Sequence, residues 1–291
     1  MNRDASDLRD DDPARKPTLL DRAAPLVERS DHMAPSVFRP ENLLREARRQ
    51  RGLPAGSVPP VCVLDPDGDV VTHIRRTCDA TPSPQWACYH SQMWTWRVGE
   101  LSCGIIGHVV GGSFAVLVAE QLFASGCGLL VSVASAGQIT DVGPPPYYVL
   151  IERALRDEGT SYHYLPASKY AVADPALLAL AADALAPAGH QICRGDTWTT
   201  DAPFRETAES IACRRRDGIL AVEMEAASLY AFAAARAHPV ICLAHVSNQL
   251  GCVDGDFEKG DGNGAAGSLD LVMALAAAWR GKMQTADTAT G

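Results

Sequence analysis

Two acidic clusters hold the side chains with chemistry to offer. In Val222-Glu223-Met224-Glu225-Ala226-Ala227, two carboxylates stand two residues apart where an apolar run gives way to a helical one. Strand ends of this kind are where α/β folds collect their functional groups, and the N–H groups of a helix start favour negative charge. The second cluster, Asp65-Pro66-Asp67-Gly68-Asp69, follows the apolar run 61–64. Asp, Pro and Gly make tight turns for conformational reasons of their own, and a carboxylate in such a turn can also take a proton as a general base.

An α/β framework must position these clusters. Short apolar runs at 61–64, 101–106, 128–134, 147–152, 191–198, 219–222 and 239–246 are predicted strands, and amphipathic runs at 113–125, 175–185, from about 203, 224–236 and 268–279 are predicted helices. Their alternation predicts a three-layer αβα sandwich with a central mixed sheet covered by helices on both faces. Residues 1–35 are charged and aperiodic and read as a disordered or loosely attached arm, 36–283 as one catalytic domain, and 284–291 as a flexible tail. The Gly- and Asp-rich stretch 251–267 reads as a flexible loop before the last helix.

Composition removes several classes of function. With 26 Lys+Arg against 35 Asp+Glu, the net charge is -9 and there is no long basic run, so nucleic acid and anionic membranes are poor partners. The nine cysteines are scattered, and none forms a Cys-x-x-Cys pair; they read as reduced packing residues. No metal cluster and no dinucleotide fingerprint is present, so no cofactor is expected. The N-terminus lacks an apolar core segment, and the longest apolar stretch, 104–123, is broken by His108, glycines and Glu120. Neither a secretory signal nor a membrane span is expected, and the chain reads as cytoplasmic.

Cleaving the bond between a base and ribose passes through a positively charged sugar. It needs a carboxylate near that sugar, a donor for the departing base and a placed nucleophile. The run Val-Glu-Met-Glu-Ala-Ala at 222–227 resembles the signature of the nucleoside phosphorylase/nucleosidase superfamily. Arg156-Asp157-Glu158-Gly159-Thr160-Ser161, Gly107-His108-Val109-Val110-Gly111-Gly112 and Ser135-Ala136-Gly137 stand in that family's order. The resemblance runs from about Val37 to the last helix and is nearest the uridine phosphorylase branch.

It implies a nucleoside phosphorylase-like fold, with Glu225 accepting from the ribose 2'- and 3'-hydroxyls and Met224 packed on the sugar. Each such charge-assisted bond contributes roughly 1.5–3 kcal/mol. His90 falls where it meets the 5'-hydroxyl or satisfies a core hydrogen bond. The family's base-side stretch falls on Thr199-Thr200-Asp201-Ala202-Pro203-Phe204, which makes Trp198 and Phe204 stacking residues or plain core. Arg156 lines the base or ribose pocket, or pairs with Asp157 or Glu158. Asn248 stands where purine-cleaving relatives carry an Asp; its amide can bind an oxo-base but cannot deliver a proton. Family members assemble as oligomers in which a neighbour often completes the site, so a homo-oligomer, dimer or hexamer, is implied. Val37-Phe38-Arg39 resembles the N-terminal contact strip, with Arg39 where a His is usual.

The phosphate side departs from the family. Guanidinium groups pair with phosphate through parallel charged hydrogen bonds, yet the three arginine positions carry Val70, Ser91 and Ser132. The implied nucleophile pocket is Gly68, Ser91, Ser132 and Ser135. Lost arginines and gained carboxylates fit attack by water, with Asp69 first and Asp67 second as general base, although the turn alone explains both equally well. Arg75, Arg76, Arg97 and Arg156 remain as cations that can restore a phosphate site. The function expected is cleavage of the N-glycosidic bond of a nucleoside, with water preferred over phosphate. Two alternatives stay open: a phosphate-dependent uridine-type phosphorylase, and an inactive nucleoside-binding or regulatory protein.

Overall fold

The computed structural model of the chain describes residues 25–29, 31–250, 256–257 and 259–290, the last five as backbone only. Most of the expected N-terminal arm and part of the loop 251–267 thus lie outside the described residues. The strands are β1 (Val61–Asp65), β2 (Thr81–Pro82), β3 (Met93–Val98), β4 (Leu101–Gly107), β5 (Leu129–Gln138), β6 (Tyr147–Asp157), β7 (Tyr170–Val172), β8 (Ile192–Thr200), β9 (Ala221–Glu223) and β10 (Val240–Asn248). The helices are α1 (Pro25–Glu28), α2 (Pro40–Arg51), α3 (Asp69–Thr77), α4 (Gly112–Ala124), α5 (Pro175–Leu185), α6 (Ala208–Arg216), α7 (Ala226–Arg236) and α8 (Ala265–Thr290).

Continuous apolar runs form strands where both faces of a sheet are covered, and β1 and β10 are buried at every position. All ten strands join one mixed sheet in the order β10-β6-β8-β9-β5-β1-β4-β3-β2, with β7 on β6. Because β10 pairs with both β5 and β6, and β9 pairs with β5, the strands β5, β10, β6, β8 and β9 close into a ring. From β5, the strands β1, β4, β3 and β2 extend as an open arm.

Successive residues of a strand point to opposite faces, and the two faces feed two cores. Cys62, Leu64 and Leu130 join α4 and α7 in one, while Val61, Val63 and Val131 join α3, α5 and α8 in the other. The three-layer αβα sandwich with a central mixed sheet is therefore present. α5 begins where the sequence says, because Pro175 occupies the first turn and the Asp174 carboxylate accepts from the Leu177 N–H at 2.9 Å.

Other boundaries moved for local reasons. The helix expected from about 203 is a single 3-10 turn, Pro203–Arg205, and α6 starts only after Thr207, whose hydroxyl takes the Ser210 N–H. The last helix extends well beyond the expected 268–279. Asp69 opens α3 rather than ending a turn.

Candidate functional site

The sheet register brings the carboxyl ends of several strands together. β1, β4, β5 and β10 run parallel, and Asp65 is level with Gly107. β9 meets β5 only at its tip, where Gly137 lies between Val222 on one side and Asn248 on the other. The segments that follow these tips, 66–69, 108–112 and 223–225, converge there.

Glu223 and Glu225 follow β9. The Glu223 carboxylate is buried and accepts four hydrogen bonds, from Thr199 Oγ1 (2.5 Å), Thr197 Oγ1 (3.1 Å) and the N–H groups of Glu225 and Ala226 (2.7 Å each). It therefore anchors the start of α7 to β8. Glu225, 3% exposed, turns its Oε1 to the Gly111 N–H at 2.7 Å. Burial and then the Glu223 charge push its carboxyl up to about 8, against the Gly111 and Met224 N–H groups, and the Asp67 charge adds to the rise. Met224 is half-buried in the bend beside it.

Gly112 sets the approach of α4 to α7. A Cβ there would stand 2.1 Å from Ser228 Oγ, and that hydroxyl donates to Glu158 Oε2 at 2.5 Å. This close contact brings the Gly111 N–H within reach of Glu225.

The second acidic cluster forms the opposite wall. Asp65 is buried and spent on the backbone, accepting from Gly68 N (3.1 Å) and Val71 N (2.8 Å), and burial raises its carboxyl to about 6 despite those bonds. Gly68 has φ 83, a conformation glycine adopts without cost, and the His108 ring lies where a Cβ would be, with Cε1 2.1 Å from that position. Asp67 and Asp69 both bind Lys259, Nζ to Asp67 Oδ2 at 3.1 Å and to Asp69 Oδ2 at 2.9 Å; Asn263 Nδ2 donates to Asp69 Oδ1 at 3.1 Å. Burial pulls the Lys259 pKa down, but the two aspartates hold it above its ordinary value. His245, stacked on Tyr148 with centroids 4.8 Å apart, is driven down to about 4 by burial and by the nearby Lys259 charge, so it is neutral at pH 7.

Several expected site residues are used elsewhere. Trp198 is buried among Ile139, Leu155, Ile219 and Val222, with Nε1 donating to Asp157 Oδ2 at 2.9 Å; it is core rather than a stacking surface. Phe204 is 100% exposed on its turn. Arg156 spends its guanidinium on Ser161, Leu165, Pro166 and Ser168 and lies over the Tyr162 ring, so it orders the segment 161–168. Asn248 sits at the converging strand ends, but its Oδ1 takes the Leu250 N–H at 2.9 Å and its Nδ2 reaches Ala136 O and Ser247 Oγ.

On the nucleophile side, Ser135 is half-buried opposite His245, whereas Ser132 is enclosed within β5, level with Leu64 and Cys242. Ser91 accepts from Trp86 Nε1 at 3.0 Å. With exposed His90 beside the Tyr89 ring, it belongs to the segment before β3, which is tied to α2 through Tyr89 and Gln50. Neither His90 nor Ser91 hydrogen-bonds Glu225 or Asp67 among the described residues.

Lys259, Asn263 and His245 were not foreseen as site residues. The available signal was charge: Lys259 is a lone cation in an otherwise acidic loop, and the strongly acidic 65–69 cluster lacks a partner in its own neighbourhood. No group of three or more His, Cys, Asp or Glu side chains able to hold a metal occurs among the described residues. No helix among them is long and apolar enough to cross a membrane.

A buried acidic side chain on a glycine-rich helix start thus lies near an acidic turn at the carboxyl edge of a mixed sheet. The profile of the phosphorylase superfamily matches residues 60–277, and the chain belongs to that superfamily. Among solved structures, uridine phosphorylase from Vibrio fischeri ES114 is similar at 20% identity, with a TM-score of 0.66 over 77% of this chain and 93% of that one. The same enzyme complexed with 6-hydroxy-1-naphthoic acid gives 20% identity and a TM-score of 0.65 over 76% and 90%. At this identity the likeness describes the fold. No curated protein sequence matches the chain.

Proposed function

We propose that this protein cleaves the N-glycosidic bond of a nucleoside, releasing the free base, with water as the nucleophile. The observation that carries the reading is Glu225, buried at the start of α7 with one oxygen on the Gly111 N–H. Its carboxyl, held by the Gly111 and Met224 N–H groups, is the acceptor offered to the ribose hydroxyls, with Met224 against the sugar.

Water is favoured because the facing corner carries two carboxylates and one ammonium. Asp67 is the better base of the pair. Both oxygens of Asp69 are engaged, by Lys259 and Asn263, whereas Asp67 uses only Oδ2, and the Asp67 charge is the one felt at Glu225. In the reaction, a water oxygen attacks C1' as its proton passes to Asp67, the C1'–N bond breaks, and the base leaves with a proton from solvent or from a donor of the base pocket. Asn248 can contact the base only by giving up part of its present bonding. Phosphorolysis is the second reading, favoured by Lys259 as a cation at the same corner.

Incubating the protein with a panel of nucleosides, with and without phosphate, tests the choice. Free ribose at a rate independent of phosphate is the expected result. Base release that requires phosphate and yields ribose 1-phosphate would overturn it, and binding without cleavage would leave a nucleoside-binding protein.

We also propose that the protein is a homo-oligomer. Val37 (98% exposed) and Phe38 (71% exposed) offer an apolar strip, and the segment bearing His90 and Ser91 makes sense as a contribution to another copy's site. Sedimentation as a monomer at micromolar concentration would count against this.

A further inference from the structure

We propose that Asp67 and Asp69, by clamping Lys259 between them, deny the corner beside Glu225 to anionic nucleophiles and leave it to water. The inference rests on the glycosidic-cleavage reading for its meaning, but its physical content is independent of turnover.

The corner's charge balance is the starting point. Lys259 Nζ lies 3.1 Å from Asp67 Oδ2 and 2.9 Å from Asp69 Oδ2, and Asn263 fixes the remaining Asp69 oxygen at 3.1 Å. One ammonium thus meets two carboxylates and the local sum is -1. His245, a second nearby basic group, is neutral at pH 7, because burial and the Lys259 charge both hold its pKa down. Gly68, between the two aspartates, carries the His108 ring against it. Arg76 shares a cavity of about 210 Å³ with Asp69, Thr72, His73 and Asn263, and no ion pair joins it to either aspartate among the described residues.

An anion approaching Glu225 therefore meets a cation already neutralised and one carboxylate in excess. Opposite charges in contact attract and like charges repel over the same few ångströms, so a phosphate dianion displacing either aspartate from Lys259 gains little and remains beside the displaced charge. Water pays no such penalty and finds Asp67 Oδ1 ready to accept its proton. Both nucleophiles give balanced reactions: water yields ribose and base, phosphate yields ribose 1-phosphate and base. The clamp decides which can enter.

The arrangement makes a conditional prediction that a merely structural ion pair does not. Removing the carboxylates frees Lys259 to bind an anion, and removing Lys259 as well abolishes that gain. Inorganic phosphate binding, measured by calorimetry at low salt on the full chain, reads this directly. Wild type is expected to bind more weakly than about 1 mM. Asp67→Asn/Asp69→Asn is expected to bind at least about tenfold tighter, with the gain shrinking as salt screens it. Adding Lys259→Met to that pair should return binding to the wild-type level, and Lys259→Arg in the wild-type background should leave binding weak. Asp69→Asn alone, a milder change in a part-exposed side chain, is expected to give a smaller tightening and guards against loss of fold in the double variant.

No tightening in either aspartate variant, or a triple variant that binds phosphate as well as the double one, overturns the proposal; so does wild-type binding in the micromolar range. Because no nucleoside is present in the measurement, failure of the cleavage reading and failure of the clamp are read separately.

Discussion

Glu223 and Glu225 lie two residues apart with equal burial, yet their surroundings give them opposite work. Glu223 has four donors on its two oxygens, which is the pattern of a carboxylate that holds structure. Burial raises both carboxyls, but Glu225 has fewer donors, the Gly111 N–H among them, and is the one we propose to be kept for a ligand. Glu223→Ala should therefore destabilise the fold by about 2–4 kcal/mol, since it strands two buried N–H groups and two hydroxyls, and denaturant titration measures that. Glu225→Gln keeps the Gly111 bond and should leave the midpoint nearly unchanged at about pH 4.5, where the folded carboxyl is uncharged like the amide, while kcat/KM on the best nucleoside of the panel falls by roughly tenfold to 150-fold, the equivalent of one lost charged hydrogen bond. If the two variants exchange these effects, the assignment is wrong. The aspartates divide similarly: Asp67→Asn should lower kcat by about 10²–10⁴ and Asp69→Asn by clearly less, and comparable losses would mean that Lys259 does not distinguish them. The sequence singles out Glu225 because its phrase is local, and the structure buries that side chain beside the Gly111 N–H. It puts Asp69 ahead of Asp67, whereas we propose the reverse, because nothing within 65–69 reveals that Asp69 will be held by Asn263 and shared by a lysine 190 residues away.

At the scale of elements, the contact between α4 and α7 does the positioning, and Gly112 is its narrowest point. Gly112→Ala would push a methyl into Ser228 Oγ, 2.1 Å from the Cβ position, and into Ser228 Cβ at 2.8 Å. A forced separation of two packed helices typically costs 1–3 kcal/mol, and here it also draws the Gly111 N–H away from Glu225. The expected outcome is a lower unfolding midpoint together with weaker nucleoside affinity, both partly restored by Ser228→Gly; a midpoint that recovers without affinity would detach the helix contact from the site. Elements of this kind were only partly legible. Strands such as β1 and β10 announce themselves as continuous apolar runs, and α5 announces itself by Asp174-Pro175. α3 did not, because Asp67-Gly68-Asp69 carries the composition of a turn and only the buried Asp65, taking the Val71 N–H, makes the following residues a helix. α2 buries only Leu44 and Ala47, too thin a stripe to stand out from its charged residues. Trp198 takes the core place that its sequence left open beside stacking, whereas Phe204 is on the surface, since an aromatic side chain is equally at home in a core, at a surface or in a pocket until its neighbours are known.

For the molecule as a whole, the closed ring of β5, β10, β6, β8 and β9 concentrates buried ionisable groups where its strand tips meet, and those groups make stability depend on pH with a definite sign. Glu225 is raised from 4.5 to about 8 and Asp65 from 3.8 to about 6, both chiefly by burial. A raised carboxyl is protonated in the folded chain while its unfolded counterpart is ionised, so its stabilising contribution is complete below the unfolded value and is lost as pH rises through the folded one. His245 works the other way. Its pKa is lowered from 6.5 to about 4, so the unfolded chain takes up a proton that the folded chain refuses, and stability falls as pH drops from 6.5 through 4. Between pH 4 and 6 Asp65 and His245 oppose one another and largely cancel, while between pH 6 and 8 Glu225 acts with little opposition from either. The wild-type Tm should accordingly decline from pH 6 to pH 9 more steeply than that of Glu225→Gln, whose amide does not titrate, reflecting a stability difference on the order of a few kcal/mol. The two curves should run parallel below about pH 4.5. Nucleoside binding to Glu225 requires its carboxylate as acceptor, so a saturating ligand pulls the proton off and should flatten the wild-type decline towards that of the variant. Parallel Tm curves across the whole range would mean that Glu225 is ionised in the resting protein, and the ring of strands would then be holding two neighbouring negative charges in its interior at neutral pH.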